Sequence, residues 1–274
     1  MPELPEVETT MRGISPALLH QKITQTTVRR HDLRQPIPLD FASRIQSRTI
    51  TDISRRSKYI LITLDDNSVI IIHLGMSGRI TLYPTWQEHY QKHDHVTIQV
   101  ENGSEITFTD PRRFGLIALT QSTDLVNHPL LKKLGPEPLT KDLTADYLYT
   151  KLQRKSVAIK QAIMDNHIVV GVGNIYACES LFRSHISPTR PANSLTKQEM
   201  ESLIISIKDV LKEAIMAGGS SLRDYATTDG SLGYFQQQLI VYGNEHQPCP
   251  VCNSLIQRIK QQGRSSFFCP SCQL

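Results

Sequence analysis

The sequence predicts an α+β chain of more than one domain, with a β-rich first part led by a helix, a helical second part and a small cysteine-bearing hairpin at the end. Three observations carry this. Roughly the first 120 residues are filled with short β-branched or alternating segments separated by turn residues. From about residue 123 the apolar spacing changes to that of helices. Four of the five cysteines fall in the last 26 residues, as two Cys-x-x-Cys pairs.

In chain order, a short helix opens the chain. Pro5 suits its first turn, Glu3, Glu6 and Glu8 complement its positive end, and Pro16 is expected to limit its length. Strands are expected over 49–64, 68–74, 79–83, 95–100 and 104–119, with turns such as Asp65-Asp66-Asn67 and Glu101-Asn102-Gly103 between them. Strands at this spacing form a sandwich or a barrel. Helices are expected near 144–153, 157–165, 174–184 and 196–217. The last is the best defined: Thr196 and Glu199 make a capping box, apolar residues recur from Met200 to Ala214, and Gly218-Gly219 ends it. The Ser-, Thr- and Gly-rich stretch 220–235 reads as a long loop, and such loops in compact proteins are often functional. The expected divisions are 1–122, 123–235 and 236–274.

Composition excludes some classes. No apolar run approaches the roughly 18 residues of a membrane span. The acidic opening Met-Pro-Glu-Leu-Pro-Glu-Val-Glu is unlike a signal peptide, so a cytoplasmic, bacterial setting near the nucleoid is expected. A net charge of +4 does not by itself establish nucleic-acid binding, but Arg29-Arg30, Arg55-Arg56-Ser57-Lys58 and Arg112-Arg113 are local clusters of the kind a phosphate backbone favours.

Cys249, Cys252, Cys269 and Cys272 have the spacing of a closed tetrahedral site, with sixteen residues between the pairs for a β-hairpin. Four thiolates leave no position for water, so one structural Zn2+ is expected. So short a hairpin has too little apolar area to offset its ordering entropy, and the metal supplies the missing folding free energy. Cys178, far away within a helix, reads as a small core residue.

Pro2 carries the sharpest chemical signal. Removal of Met1 would expose a secondary amine, and an α-amino group titrates at about 7.7–8.0 against about 10.4 for lysine. About a quarter of it is neutral near pH 7.4, so it is a ready nucleophile without a neighbouring base. Attack on a sugar C1′ gives an iminium that cannot lose a proton from nitrogen and remains an electron sink.

Pro2-Glu-Leu-Pro-Glu-Val-Glu-Thr9, Arg55-Arg-Ser-Lys-Tyr59, His73-Leu-Gly-Met-Ser-Gly78, Lys92-His-Asp-His95, Asp110-Pro-Arg-Arg-Phe-Gly115, Gly171-Val-Gly-Asn-Ile-Tyr176 and the terminal cysteines occur in order at compatible spacing. Together they resemble the bacterial formamidopyrimidine-DNA glycosylase family over nearly the whole chain. The resemblance implies an N-terminal β-sandwich, a helix–two-turn–helix domain and a zinc hairpin. It also implies a monomeric enzyme that acts on double-stranded DNA containing oxidised purines or abasic sites, by glycosidic cleavage followed by β,δ-elimination. Carried over residue by residue, it assigns Pro2 as Schiff-base nucleophile, Glu3 as the acid, Glu6 as the carboxylate that positions the amine, Lys58 to β-elimination and phosphate contact, and Arg264 to δ-elimination. Met76, Arg112 and Phe114 match the residues that fill the space left by an extruded base; from residue type alone Met76 and Phe114 suit a core equally well. His93, Lys155, Lys160 and Asn174 are implied DNA contacts, Asn174 also capping the helix it begins, and 220–235 resembles the segment that closes over the extruded base. Two rivals stand beside this reading: an endonuclease VIII-like enzyme for oxidised pyrimidines, and a non-catalytic, zinc-stabilised binder of damaged DNA. Pyrimidine-directed relatives generally lack the Leu4–Thr9 form and the Asp110–Gly115 wedge, both present here.

Overall fold

The computed structural model describes residues 2–220, 228 and 233–274. The chain forms two compact units, one of residues 1–132 and 217–234 and the other of residues 133–216 and 235–274. Segment 217–234, expected with the helices, thus belongs to the first unit, and the cysteine hairpin belongs with the helical second unit. Among the described residues no helix is long and apolar enough to cross a membrane.

The first unit is a β-sandwich. It begins with α1 (Leu4–Leu18), followed by β1 (Ile23–Val28), the short α2 (Phe41–Ile45), β2 (Ile50–Arg56), β3 (Tyr59–Leu64), β4 (Ser68–His73), β5 (Arg79–Tyr83), β6 (Asp94–Val100), β7 (Glu105–Thr109) and β8 (Leu116–Gln121). Two four-stranded antiparallel sheets result, in the orders β1-β6-β7-β5 and β2-β3-β4-β8. Inward-facing Ile60, Ile62, Ile70 and Ile72 meet Val96, Ile98, Ile106 and Phe108 in one core, into which α1 inserts Val7, Ile14 and Leu18.

Several expectations about these elements change. The expected strand 49–64 is two strands, because Ser57 takes the left-handed conformation (φ 57°) and reverses the chain so that Arg56 pairs with Tyr59. The expected strand 104–119 is likewise two, interrupted at Asp110–Gly115. β1, with three threonines and a glutamine in its Ile-Thr-Gln-Thr-Thr-Val sequence, is too polar to stand out as a strand yet pairs with β6. α1 also continues through Pro16, whose position in the last turn leaves the hydrogen bond from the Leu19 N–H to the Ser15 carbonyl intact.

The second unit contains α3 (Ala145–Leu152), α4 (Ile159–Ile163), α5 (Asn174–Arg183), α6 (Lys197–Met216) and the hairpin β9 (Gln257–Gln261)–β10 (Arg264–Phe268). The capping box at α6 forms as expected, with the Thr196 N–H donating to Glu199 Oε2 at 2.8 Å and the Glu199 N–H to Thr196 Oγ1 at 3.2 Å. The Arg190 guanidinium, hydrogen-bonded to the same carboxylate, holds Glu199 down at about 2.

An acid whose pKa is depressed by folding stabilises the fold above its unfolded pKa and loses that contribution as pH falls through the folded value. Glu199→Gln is therefore expected to destabilise the chain by about 1 kcal/mol near neutral pH, with the deficit shrinking as pH falls from about 5 toward 2. Urea midpoints of both proteins at about pH 7 and pH 3.5 read this directly; an equal deficit at both pH values would exclude the ionised carboxylate as its source.

Candidate active site

In the first unit the N-terminal motif lies on the first turn of α1. Pro2, Glu3 and Glu6 are all buried. Glu3 is the N-cap, and its N–H donates to Glu6 Oε2 at 2.8 Å, which fixes the peptide next to Pro2. Glu6 Oε1 accepts a second N–H, from Ser220, also at 2.8 Å. While Met1 is attached, the Pro2 nitrogen is an amide and not nucleophilic; its removal makes the same atom a secondary amine at the positive end of a helix, beside two carboxylates.

Lys58 is buried in the β2–β3 turn. Arg55 supports that turn from behind, donating from Nε to Glu8 Oε2 at 2.7 Å and from its guanidinium to the Ser57 carbonyl at 2.8 Å. Burial opposes ionisation of Glu8, but Arg55 and Arg12 outweigh it and hold the carboxyl below its usual range. The expected basic patch around 55–58 is corrected here: the charge of Arg55 is directed at Glu8 and ties α1 to the lysine turn. The Arg29-Arg30 cluster is also engaged internally, Arg29 over the Tyr90 ring at 3.5 Å and Arg30 with Asp32, which Arg113 shares.

His73, at the end of β4, opens its motif but carries no signal of its own in the sequence. Burial, followed by the nearby Lys58 and Arg34 cations, pushes its imidazole down to about 4. Its Nδ1 accepts the Gly75 N–H at 2.9 Å, which requires a lone pair there and agrees with a neutral ring. Gly75 is needed for two reasons. Its φ is +66°, and a Cβ would lie 2.4 Å from the Gly115 nitrogen. The turn carrying Met76 therefore sits directly against the turn carrying Arg112 and Phe114.

Asp110 joins these turns. It is fully buried, accepts the Ser77 hydroxyl at 2.6 Å and the Gly115 N–H at 2.7 Å, and takes the Arg112 N–H at 3.3 Å. Its own N–H donates to the His93 carbonyl at 3.1 Å. This order holds three large side chains outward: Met76 is 37% exposed, Phe114 is 45% exposed, and the Arg112 guanidinium lies 5.1 Å from the Phe114 ring centre. A core role for Met76 or Phe114 is ruled out. The expectation that 220–235 covers a base falls mostly on residues outside those described, though Ser220, Thr228, Gly233 and Tyr234 are placed.

In the second unit Lys160 is only 2% exposed. Its Nζ donates to Asn174 Oδ1 (2.6 Å), Ser266 Oγ (2.6 Å) and the Ser265 carbonyl (3.1 Å), which uses all three of its hydrogens. A direct phosphate contact, as expected for Lys160, would have to displace one of these; its charge acts from behind Asn174. Nor does the Asn174 side chain cap α5, whose N-cap is Gly173. Its amide instead donates to the Ser265 carbonyl at 2.9 Å and to the Tyr242 hydroxyl at 3.4 Å. Tyr242, which no sequence signal marks, is set by the buried carboxylate of Glu179. That carboxylate accepts the N–H groups of Ile240, Val241 and Tyr242 at 2.8–3.0 Å. Lys155, Lys160 and Arg264 line one cavity of about 440 Å³ with Gln161, Gln261 and Gln262. Arg264 is exposed at the first position of β10.

The four cysteine sulfurs lie within 4.8 Å of one another. Cys249 and Cys272 are 3.8 Å apart, and Cys252 and Cys269 3.4 Å. A tetrahedral ion with bonds of about 2.3 Å places sulfurs about 3.8 Å apart. The set fits one zinc with no open ligand position. Cys178 is buried nearby, its thiol pushed up to about 11 by that burial, and packs with Phe182, Val241, Ile256 and Phe267 beneath the hairpin.

Three family models match. Residues 1–117 match the formamidopyrimidine-DNA glycosylase N-terminal domain, 134–226 the formamidopyrimidine-DNA glycosylase H2TH domain, and 247–274 the zinc finger found in FPG and IleRS. The formamidopyrimidine-DNA glycosylase of Dinoroseobacter shibae is 47% identical, with both chains covered in full. That of Rhodospirillum rubrum is 48% identical over 98% of each. The MutM (Fpg) protein of Thermus thermophilus superposes with a TM-score of 0.89 at 38% identity, over 99% of this chain and 98% of that one. Lactococcus lactis Fpg, solved in complex with DNA containing an abasic site, gives 0.91 at 34% identity over 99% of both. This chain belongs to the formamidopyrimidine-DNA glycosylase family.

Proposed function

We propose that this chain repairs double-stranded DNA by excising oxidised purines and then cleaving the strand, with the Pro2 amine as nucleophile. The observation that carries it is the first turn of α1. There the future amine adjoins Glu3, and Glu6 fixes the intervening peptide at 2.8 Å. Relatives sharing this fold act on formamidopyrimidine or bind abasic-site DNA by name. The exposed wedge of Met76, Arg112 and Phe114 supports the purine branch over the pyrimidine-directed rival.

In this mechanism the base is extruded at a cost of a few kcal/mol, offset by Met76 and Phe114 entering the stack and Arg112 bonding the unpaired partner base. The Pro2 nitrogen attacks C1′ and the base leaves with its bonding pair. Glu3 supplies a proton to the leaving side or to the ring oxygen, which opens the sugar and leaves a C1′ iminium. Loss of a C2′ proton then expels the 3′ phosphate, with Lys58 beside it. A second elimination, at which Arg264 acts, expels the 5′ phosphate, and water hydrolyses the remaining iminium to free the enzyme. The zinc, held by Cys249, Cys252, Cys269 and Cys272, supplies folding free energy to the hairpin that carries Arg264.

Mixing the processed protein with an abasic-site duplex and borohydride is expected to trap one covalent adduct at Pro2. Pro2→Gly should trap far less, and no adduct with the parent protein would overturn the mechanism. Glu3→Gln is expected to slow base release by roughly 10²–10⁴-fold in single-turnover assays. Lys160→Met withdraws the support behind Asn174 and Ser265, so gel analysis should show more product halted after β-elimination. Removing the metal with a chelator is expected to release one zinc per chain and weaken DNA binding by about tenfold or more, since the hairpin loses most of its folding free energy. Unchanged binding by the metal-free protein would contradict a structural zinc.

A further inference from the structure

Segment 217–234 is seated on α1 at points that the catalytic reading does not use. The Ser220 N–H donates to Glu6 Oε1 at 2.8 Å. About two turns further along α1, and so on the same face of the helix, Gly13 meets Thr228. A Cβ on Gly13 would lie 2.3 Å from Thr228 Oγ1, 3.1 Å from its Cγ2 and 3.3 Å from its Cβ. No rotation about χ1 relieves this, because two of the three staggered positions are already filled and the branch atom itself is close. Thr228 cannot withdraw freely either. Its carbonyl accepts the N–H of Leu82, on the edge strand β5, at 2.8 Å, and the residue is buried.

We propose that Gly13 is a specificity-determining position, whose missing side chain lets α1 hold Thr228, and with Glu6 hold Ser220, in the register needed to act on an intact oxidised base. The proposal rests on the function above. Ser220 and Thr228 bracket residues 221–227, within the stretch whose family counterpart covers the extruded base. The same helix begins at the amine, so nucleophile and base-holding segment share one rigid reference. Base release needs both to be placed together, because reacting atoms misplaced by about an ångström lose much of their rate. Strand cleavage at a pre-formed abasic site has no base to hold and needs the nucleophile alone.

The test compares single-turnover base release from an 8-oxoguanine duplex with cleavage of a pre-formed abasic duplex, for the parent, Gly13→Ala, Thr228→Ala and the double variant. Alanine is the better helix former, so loss of α1 is not the expected effect of the first change, and a thermal midpoint checks this. Gly13→Ala is expected to slow base release about tenfold or more while abasic cleavage stays within about twofold. Thr228→Ala removes the two nearest colliding atoms, so the double variant should recover most of the base release lost by Gly13→Ala. Unchanged base release, an equal fall in both reactions, or failure of the double variant to recover would each overturn the proposal. Failure of the parent protein to cleave abasic DNA would count against the functional reading itself.

Discussion

A carboxylate taken out of water has to be given donors, and this chain meets that requirement three times with backbone N–H groups. Glu6 takes those of Glu3 and Ser220, Asp110 those of Arg112 and Gly115, and Glu179 those of Ile240, Val241 and Tyr242. Backbone donors bound to a buried charge fix the path of the chain, not only a side chain. The three acids thus set the peptide beside Pro2, the turn bearing Arg112 and Phe114, and the approach to the zinc hairpin. Removing any one leaves several buried N–H groups unpaired, each costing about 1–3 kcal/mol.

The apolar groups at the site follow from the same arrangement. A phenyl ring and a thioether would ordinarily turn inward, and nothing in their own chemistry holds them in water. Met76 and Phe114 stay out because the turns beneath them are closed by Asp110, Ser77 and the close approach of Gly75 to Gly115. Their exposure is a cost carried by the scaffold, recovered when a base step opens to receive them. The second unit shows a related arrangement, where one buried lysine, Lys160, ties α4, the start of α5 and β10 together and brings positive charge behind Asn174.

Much of this is legible in the residues. The cysteine spacing, the capping box at Thr196, the proline–glutamate opening and the change from alternating to helical periodicity near 123 are local signals, and each forms locally. Arg55 and Lys160 look like phosphate contacts in the sequence because a cation with other cations near it resembles a patch. Each is instead satisfied by a partner distant in sequence, Glu8 on α1 in one case and Ser266 on the hairpin in the other. His73, Asp110 and Tyr242 give no local signal because their importance comes from what lies across the fold from them.

Element types, the metal site and the family can be read from the residues alone, because periodicity, spacing and turn chemistry act over a few residues and survive as pattern. It took the folded chain to show which charges pair with one another, which apolar side chains face water, and that Gly13 must lack a side chain. Those are questions of distance between atoms far apart along the chain. Close packing and the pairing of buried charge answer them, and neither leaves a periodic trace.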